Sequence, residues 1–525
     1  MTTFFTASVA RHAQQLLPVL LVASAGGQSW KTTETMTNCE STSKSAVNIK
    51  KRLTTIGRLA LDSETPANPS VPTFFISLVG SRSLTKDDFC HIWRAKGIGD
   101  RHARFHQTVE SGHFVPSLKP VEEHISEGLF PAIPRLDLAY RVAKYLTNPM
   151  DLTKSLWHLD LLSGPLGRSG AISKRRTSQL IDATPDAIET LLLFRSHHAM
   201  ADGVSLVAAV TELCDEWEDL QAQIKAELKK RRSMTKSFLQ KITTWLRKFF
   251  WFWTGSMQAW LYQLRLIWNT PNHPFAIVKQ KSPPSTGRNV SWCEVTTVDE
   301  VKSIASAFGK NVTVNDIWVS CATYAVARQL QDHKKALGLT DADHTTINVV
   351  IPVHLQGGIL LPGQSLGNRI GAFTASVPGE DSTMTAGKRL EQTHQSLHTI
   401  KQTPAALLSY LSAHVLGSLP TLWTTPIFRR ATANACIAVT NVRNASHKLH
   451  IQGMAVETVT GFLPLAPGIP IGVVVQSYAG NMQLSVTAET YAVPDANIFL
   501  AWMVEEYQRL LIEAEHMQAK SELKH

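Results

Sequence analysis

Apolar residues along this chain fall into two kinds of pattern. Short apolar or alternating runs, bounded by turn-forming residues, predict strands near 73–79, 156–162, 188–195, 290–296, 346–352, 370–377, 436–441, 453–460, 471–478 and 482–488. Between them, apolar residues recur every three or four positions and predict helices over 86–96, 136–146, 204–232, 298–309, 315–333, 384–400 and 495–515. The helix over 204–232 carries one continuous stripe of Leu206, Val210, Leu213, Trp217, Leu220, Ile224 and Leu228. Strands and helices interleaved in this way make a mixed α/β chain in two halves. With 525 residues, 44% of them hydrophobic, it can bury two sizeable cores.

Between the strand at 188–195 and the helix after it lies His197-His198-Ala199-Met200-Ala201-Asp202-Gly203. A loop held between two rigid elements can present a side chain into a cleft. An imidazole, with an ordinary pKa of about 6.5, takes and returns a proton near neutral pH. Two adjacent histidines cannot both face one cleft, so one is expected to do chemistry and the other to pack. Side-by-side histidines also lack metal-ligand spacing, so neither a metal nor a cofactor is expected. The Asp-Gly pair can make the turn and cap the following helix. The plain alternative is a pair of satisfied surface histidines ahead of a helix.

His-His-x-x-x-Asp-Gly is the hallmark of acyltransferases that resemble chloramphenicol acetyltransferase, among them condensation domains and the wax ester synthase/diacylglycerol acyltransferase family. Five further stretches resemble that last family, in its order, over about residues 56–515. They are Pro149-Met150-Asp151 with Leu156-Trp157, Val314-Asn315-Asp316-Ile317, Leu366-Gly367-Asn368-Arg369-Ile370-Gly371, Thr440-Asn441-Val442, and Ser477-Tyr478-Ala479-Gly480. Three features depart from it. Arg443-Asn444 stand where Gly-Pro is frequent, His354 lies where a basic residue is common, and 163–187 is a polar, basic insertion.

The resemblance implies an α/β fold of two chloramphenicol-acetyltransferase-like domains around a central substrate channel, with His198 in it as general base. Acyl-CoA would be a co-substrate, and the acceptor a fatty alcohol (giving wax ester) or diacylglycerol (giving triacylglycerol). A sterol or isoprenoid acceptor is the alternative within enzymes. A catalytically silent, membrane-associated lipid-binding protein is the alternative outside them. His197 would pack beneath the loop, Asp202 hold it, and Gly203 permit close backbone approach. Asn315 and Asp316 would help close the site or simply cap a helix. Asn368 and Asn441 would line the channel or satisfy loop backbone. No covalent acyl-enzyme is required, since neither a Gly-x-Ser-x-Gly elbow nor a catalytic-cysteine signature is present.

Charge adds a membrane to this picture. The net charge is +10, and nine basic residues fall between Lys225 and Lys248 against Glu227 alone. No nucleic-acid-binding signature accompanies them, so nucleic acid is not an expected partner. Trp245, Trp251, Trp253, Trp260 and Trp268 follow or overlap this run, and 249–264 is free of charge. That is shorter than the roughly 20 apolar residues a bilayer span needs. Lysine and arginine beside tryptophan suit a helix lying in the membrane interface, although a helix packed on the second domain would share the pattern. A second uncharged run, 403–428, is read as a partly buried helix that can add to such a surface. Endoplasmic reticulum or lipid droplet is the expected location, with plastid the alternative. Six scattered cysteines form no disulfide framework and favour a reducing compartment. The expected organisation is a targeting or disordered extension at 1–55, an N-terminal domain at 56–224, the interfacial connection at 225–280, and a C-terminal domain at 281–518.

Overall fold

The computed structural model describes residues 51–130, 134–233, 238–269, 275–281, 287–338, 346–355, 366–379 and 384–522. Its main strands are β1 (Thr73–Gly80), β2 (Ile125–Leu129), β3 (Trp157–Pro165), β4 (Ile188–Ser196), β5 (Arg288–Thr297), β6 (Thr346–His354), β7 (Ile370–Pro378), β8 (Ile437–Arg443), β9 (His450–Ile451), β10 (Met454–Phe462), β11 (Ile471–Tyr478) and β12 (Asn481–Glu489). They form two six-stranded sheets, ordered β9-β10-β1-β4-β3-β2 and β7-β6-β8-β11-β12-β5. The helices that matter for the site are α1 (Thr55–Ser63), α2 (Gly203–Thr211), α3 (Trp217–Ser233), α4 (Phe238–Asn269), α5 (Val314–Leu337), α6 (Ala386–Lys401), α7 (Ala405–Leu416), α8 (Thr421–Thr432) and α9 (Ala496–Glu522). The chain is α/β with two sheet-bearing halves.

The halves are interlocked. β10 lies within 281–518, yet it pairs antiparallel with β1 of the first sheet, Thr460 opposite Phe75. Its last residue, Phe462, meets Phe75 and Trp292 of β5 in a buried aromatic cluster, with centroid separations of 5.3 to 5.9 Å. Such offset and edge-on ring contacts each add to plain area burial, by about 0.5–1.5 kcal/mol. The basic insertion at 163–187 contributes a helix, Lys174–Ala183, with no buried residue. Arg176 on it reaches Glu294 of β5 and Glu457 of β10, at 3.0 Å each.

The single helix expected over 204–232 is broken into α2 and α3. Side chains at the break are engaged elsewhere. The Glu212 carboxylate pairs with His102 at 2.9 Å and also with Arg101. Asp215 accepts from the Gly453 N–H at 2.8 Å, and Glu216 from the His450 N–H at 2.9 Å. These bonds tie the break to the β9–β10 turn and outweigh one more turn of helix.

Lys51 and Arg52 pair with Phe114 and His113, and Leu53 is buried, so order is present ahead of residue 56. Residues 1–50, with the targeting extension expected there, lie outside the described residues. Among the described residues, no helix is long and apolar enough to cross a membrane.

Candidate active site

β4 is almost wholly buried and delivers the chain to the 197–203 loop. The loop backbone is anchored at once. The His197 N–H donates to the Leu156 carbonyl at 2.9 Å, and the His198 N–H to the Ser70 carbonyl at 2.8 Å. Ala199, Met200 and Ala201 are fully buried and give the loop an apolar underside. The His197 ring is buried too. Its Nδ1 accepts from the Ala199 N–H at 3.1 Å, so the proton sits on Nε2 and is donated to the Glu64 carboxylate at 3.0 Å. His197 therefore fixes the loop from beneath.

The second half of the chain holds the loop from the other side. Asp202 caps α2, its Oδ1 accepting from the Ser205 N–H at 2.7 Å. Its Oδ2 accepts from the Arg369 N–H at 2.8 Å. The Asp202 N–H and the Ser205 hydroxyl both donate to the Gly367 carbonyl, at 3.1 and 3.0 Å. The Asn368 amide donates to the His198 carbonyl at 2.9 Å. Residues 367–369, the approach to β7, thus clasp both ends of the loop. A carboxylate buried as fully as Asp202 needs such donors, because an unsatisfied buried charge is costly.

α1 lies against the same loop. A Cβ on Gly57 would stand 2.9 Å from Thr54 Oγ1 and 3.0 Å from the Ala199 carbonyl oxygen, so only glycine lets the helix approach this closely. Gly203 is different: a Cβ there would meet nothing within 4 Å, and the position faces open space rather than another segment.

Electrostatics set the state of the ring. His198 keeps a partly exposed face, while its Nδ1 is shut from solvent and has no hydrogen-bond partner. Burial pushes its pKa below the ordinary value, and His197 adds to this. The Asp202 carboxylate, the residue's own carbonyl and Asn368 pull the other way without restoring it. A neutral imidazole at neutral pH can accept a proton. Arg104, whose guanidinium donates to the Met200 carbonyl, is brought down to about 10 by burial and by Arg369, against the pull of Asp202. His354 Nε2 stands 4.0 Å from Asp202 Oδ2, and burial lowers its pKa as well.

The remaining candidates stand elsewhere. The Asn441 amide donates to Asn315 Oδ1 at 2.6 Å, tying the start of α5 to the end of β8. Asp316 completes a capping box with Thr313 and also holds Lys401 at 2.6 Å and His394 at 2.9 Å. Burial pushes its pKa up, but Lys401 and His394 overcome this and leave it below the usual carboxylate range. Among the described residues, none of Asn315, Asp316 and Asn441 hydrogen-bonds to the 197–203 loop. Trp251, Trp253 and Trp260 are exposed on α4, at 45%, 60% and 51%. The side chains of Trp245 and Trp268 lie outside the described residues. Sequence reasoning does not single out Glu64 or Ser70, which belong to no motif. Arg369 lies inside a quoted block, but its contribution is a main-chain N–H that no side-chain pattern announces.

The profile of the WS/DGAT C-terminal domain matches residues 366–511. Wax ester synthase/diacylglycerol acyltransferase 5 of Arabidopsis thaliana is 21% identical over 502 residues, covering 84% of this chain and 92% of that protein. Wax ester synthase/diacylglycerol acyltransferase 10 of the same plant is 21% identical over 327 residues, and that match spans only 60% of the relative and 56% of this chain. Among solved structures, the wax ester synthase/diacylglycerol acyltransferase from Marinobacter aquaeolei VT8 superposes with a TM-score of 0.55 at 15% identity, over 89% of this chain and all of that one. The trichothecene 15-O-acetyltransferase from Fusarium sporotrichioides superposes with a TM-score of 0.57 at 13% identity, over 90% and 96% of the two chains. At such identities the superpositions establish the fold.

Proposed function

We propose, from the premise that this chain belongs to the wax ester synthase/diacylglycerol acyltransferase family of acyltransferases, that it moves a long-chain acyl group from acyl-CoA to a fatty alcohol, to diacylglycerol, or to both. His198 acts as the general base. Its Nδ1 is sealed off, which leaves Nε2 as the nitrogen that reaches a substrate. Nε2 takes the hydroxyl proton while the alcohol oxygen bonds to the thioester carbonyl carbon. The tetrahedral oxyanion collapses, the carbon–sulfur bond breaks, and the imidazolium returns its proton to the CoA sulfur. The two substrates meet in a channel between the two sheets, which passes the open space over Gly203. Peripheral attachment to a lipid membrane, at endoplasmic reticulum or lipid droplet, supplies the acceptor.

The observation that carries this reading is His198 itself. It is a histidine whose pKa burial lowers, on a loop bound through its backbone to Ser70 on one side and Asn368 on the other. Positioned general bases contribute about 10²–10⁴-fold in rate. The test is turnover by membranes carrying the wild-type protein or His198→Ala, given labelled palmitoyl-CoA with fatty alcohol, diacylglycerol, sterol or isoprenoid alcohol. Label in neutral ester only with His198 intact is the expected result, and the best acceptor names the substrate. Equal label from both proteins rejects His198 as base, and no label with any alcohol favours a lipid-binding protein without turnover.

A further inference from the structure

α8 is folded inside out. Its threonines face the protein: Thr424 is fully buried with its hydroxyl on the Leu416 carbonyl at 2.9 Å. The Thr425 hydroxyl donates to the Asp62 carbonyl at 2.8 Å, and the Thr421 hydroxyl to the Asp62 carboxylate at 3.1 Å. The opposite face carries Leu422, Trp423 and Ile427, which are 81%, 58% and 46% exposed. A surface helix in water normally places these faces the other way round. Apolar side chains turned outward on a helix whose polar side is already satisfied mark a surface that something apolar covers.

The face does not end with α8. α4 turns Tyr262 inward, where its hydroxyl accepts from the Ser376 N–H of β7 at 3.0 Å. On its outer side Phe250, Trp253, Met257, Trp260 and Leu261 are exposed at helical spacing. The two helices are joined through α7, which packs on both α4 and α1, and through the Trp251 indole, which donates to the Gln402 carbonyl. α8 in turn packs on α1. α4 and α8, each with an outward apolar face, are therefore linked through α7 and α1.

Charge identifies the occupant. No Asp or Glu occurs in 228–293 or in 403–433, whereas α8 ends in Arg429 and Arg430 and α4 begins within the basic run. Exposed tryptophan flanked by arginine and lysine, with no acidic residue, complements the interfacial zone of an anionic bilayer. We infer that α8 is a second membrane-docking element, and that Leu422, Trp423 and Ile427 enter the headgroup region of an anionic lipid surface together with the outer face of α4. Because α8 and α7 brace α1, which lies on the Ala199 loop and leads to Glu64, docking sets the lipid surface beside the supports of His198. This extends the membrane association above and does not depend on the reaction chemistry.

The test is co-sedimentation of the full chain with vesicles of phosphatidylcholine alone, or of phosphatidylcholine with phosphatidylserine. Wild type should favour the phosphatidylserine vesicles. The triple variant Leu422→Ser, Trp423→Ser, Ile427→Ser should partition roughly tenfold more weakly. Arg429→Glu with Arg430→Glu, which leaves the apolar face intact, should remove the preference for phosphatidylserine. Vesicle binding by both variants equal to wild type overturns the inference. So does a wild-type dimer by light scattering that the triple variant converts to monomer with vesicle binding unchanged, since a second copy then covers the face. Loss of vesicle binding in the triple variant, with no acyl transfer in any assay even from wild type, sinks the proposed reaction and leaves the docking face standing.

Discussion

The side-chain amide of Asn368 donates to the main-chain carbonyl of His198 at 2.9 Å, across 170 positions of sequence. The histidine loop is therefore not a self-contained motif. Its amino end hangs on Ser70 and Leu156, and its carboxyl end on Gly367 and Arg369. Both halves of the chain must be in place before His198 has a fixed position.

Removing that one amide is the direct check. Asn368→Ala leaves the His198 carbonyl without its donor, at a stability cost of about 0.5–1.5 kcal/mol. Because the lost bond positions the ring rather than binding substrate, kcat should fall more than KM rises. Thermal denaturation measured beside steady-state kinetics separates the two effects. An Asn368→Ala protein with wild-type kcat would show that the clasp is irrelevant to chemistry.

Acid should be tolerated further than an ordinary histidine allows. The base works in its neutral form, and burial sets the His198 pKa below its usual value of 6.5. Activity should then persist as pH drops through 6.5 and decline only below it, in a kcat/KM profile of the free enzyme. The Asp202 carboxylate pulls the pKa upward, so Asp202→Asn should move the acidic limb to still lower pH. A limb above 6.5, or one that rises in Asp202→Asn, contradicts the assignment.

Gly371 should accept no side chain. A Cβ there would lie 1.9 Å from the Ala406 carbonyl oxygen, at the contact between β7 and α7. Gly371→Ala must push α7 off the sheet, with an expected cost of about 1–3 kcal/mol. Urea unfolding measures it directly, and a midpoint equal to wild type would show that the helix yields freely.

Much of the fold is legible along the chain, since strand and helix patterns are set by local burial. β4 carries the apolar run Leu191 to Phe194 and lies at the centre of its sheet, and α5 has the Thr313–Asp316 capping box at its start written locally. The break between α2 and α3 is not legible. The stripe through Leu213 and Trp217 continues unbroken, and only the β9–β10 turn, more than two hundred residues on, supplies the N–H groups that Asp215 and Glu216 leave the helix to meet.

The chemistry on offer can be read along the chain: a histidine pair at a strand–loop–helix junction, an aspartate that caps, and a basic aromatic segment with almost no acid. Those are properties of side chains and their immediate spacing. Which groups hold the histidines is settled by packing. Glu64, Ser70 and the backbone of 367–369 reach the loop from distant segments, and main-chain donors carry no residue signature. Packing alone decided, too, that α8 turns its threonines inward and its tryptophan out. Periodicity gives a helix two faces, but only its packing partners choose which one is buried.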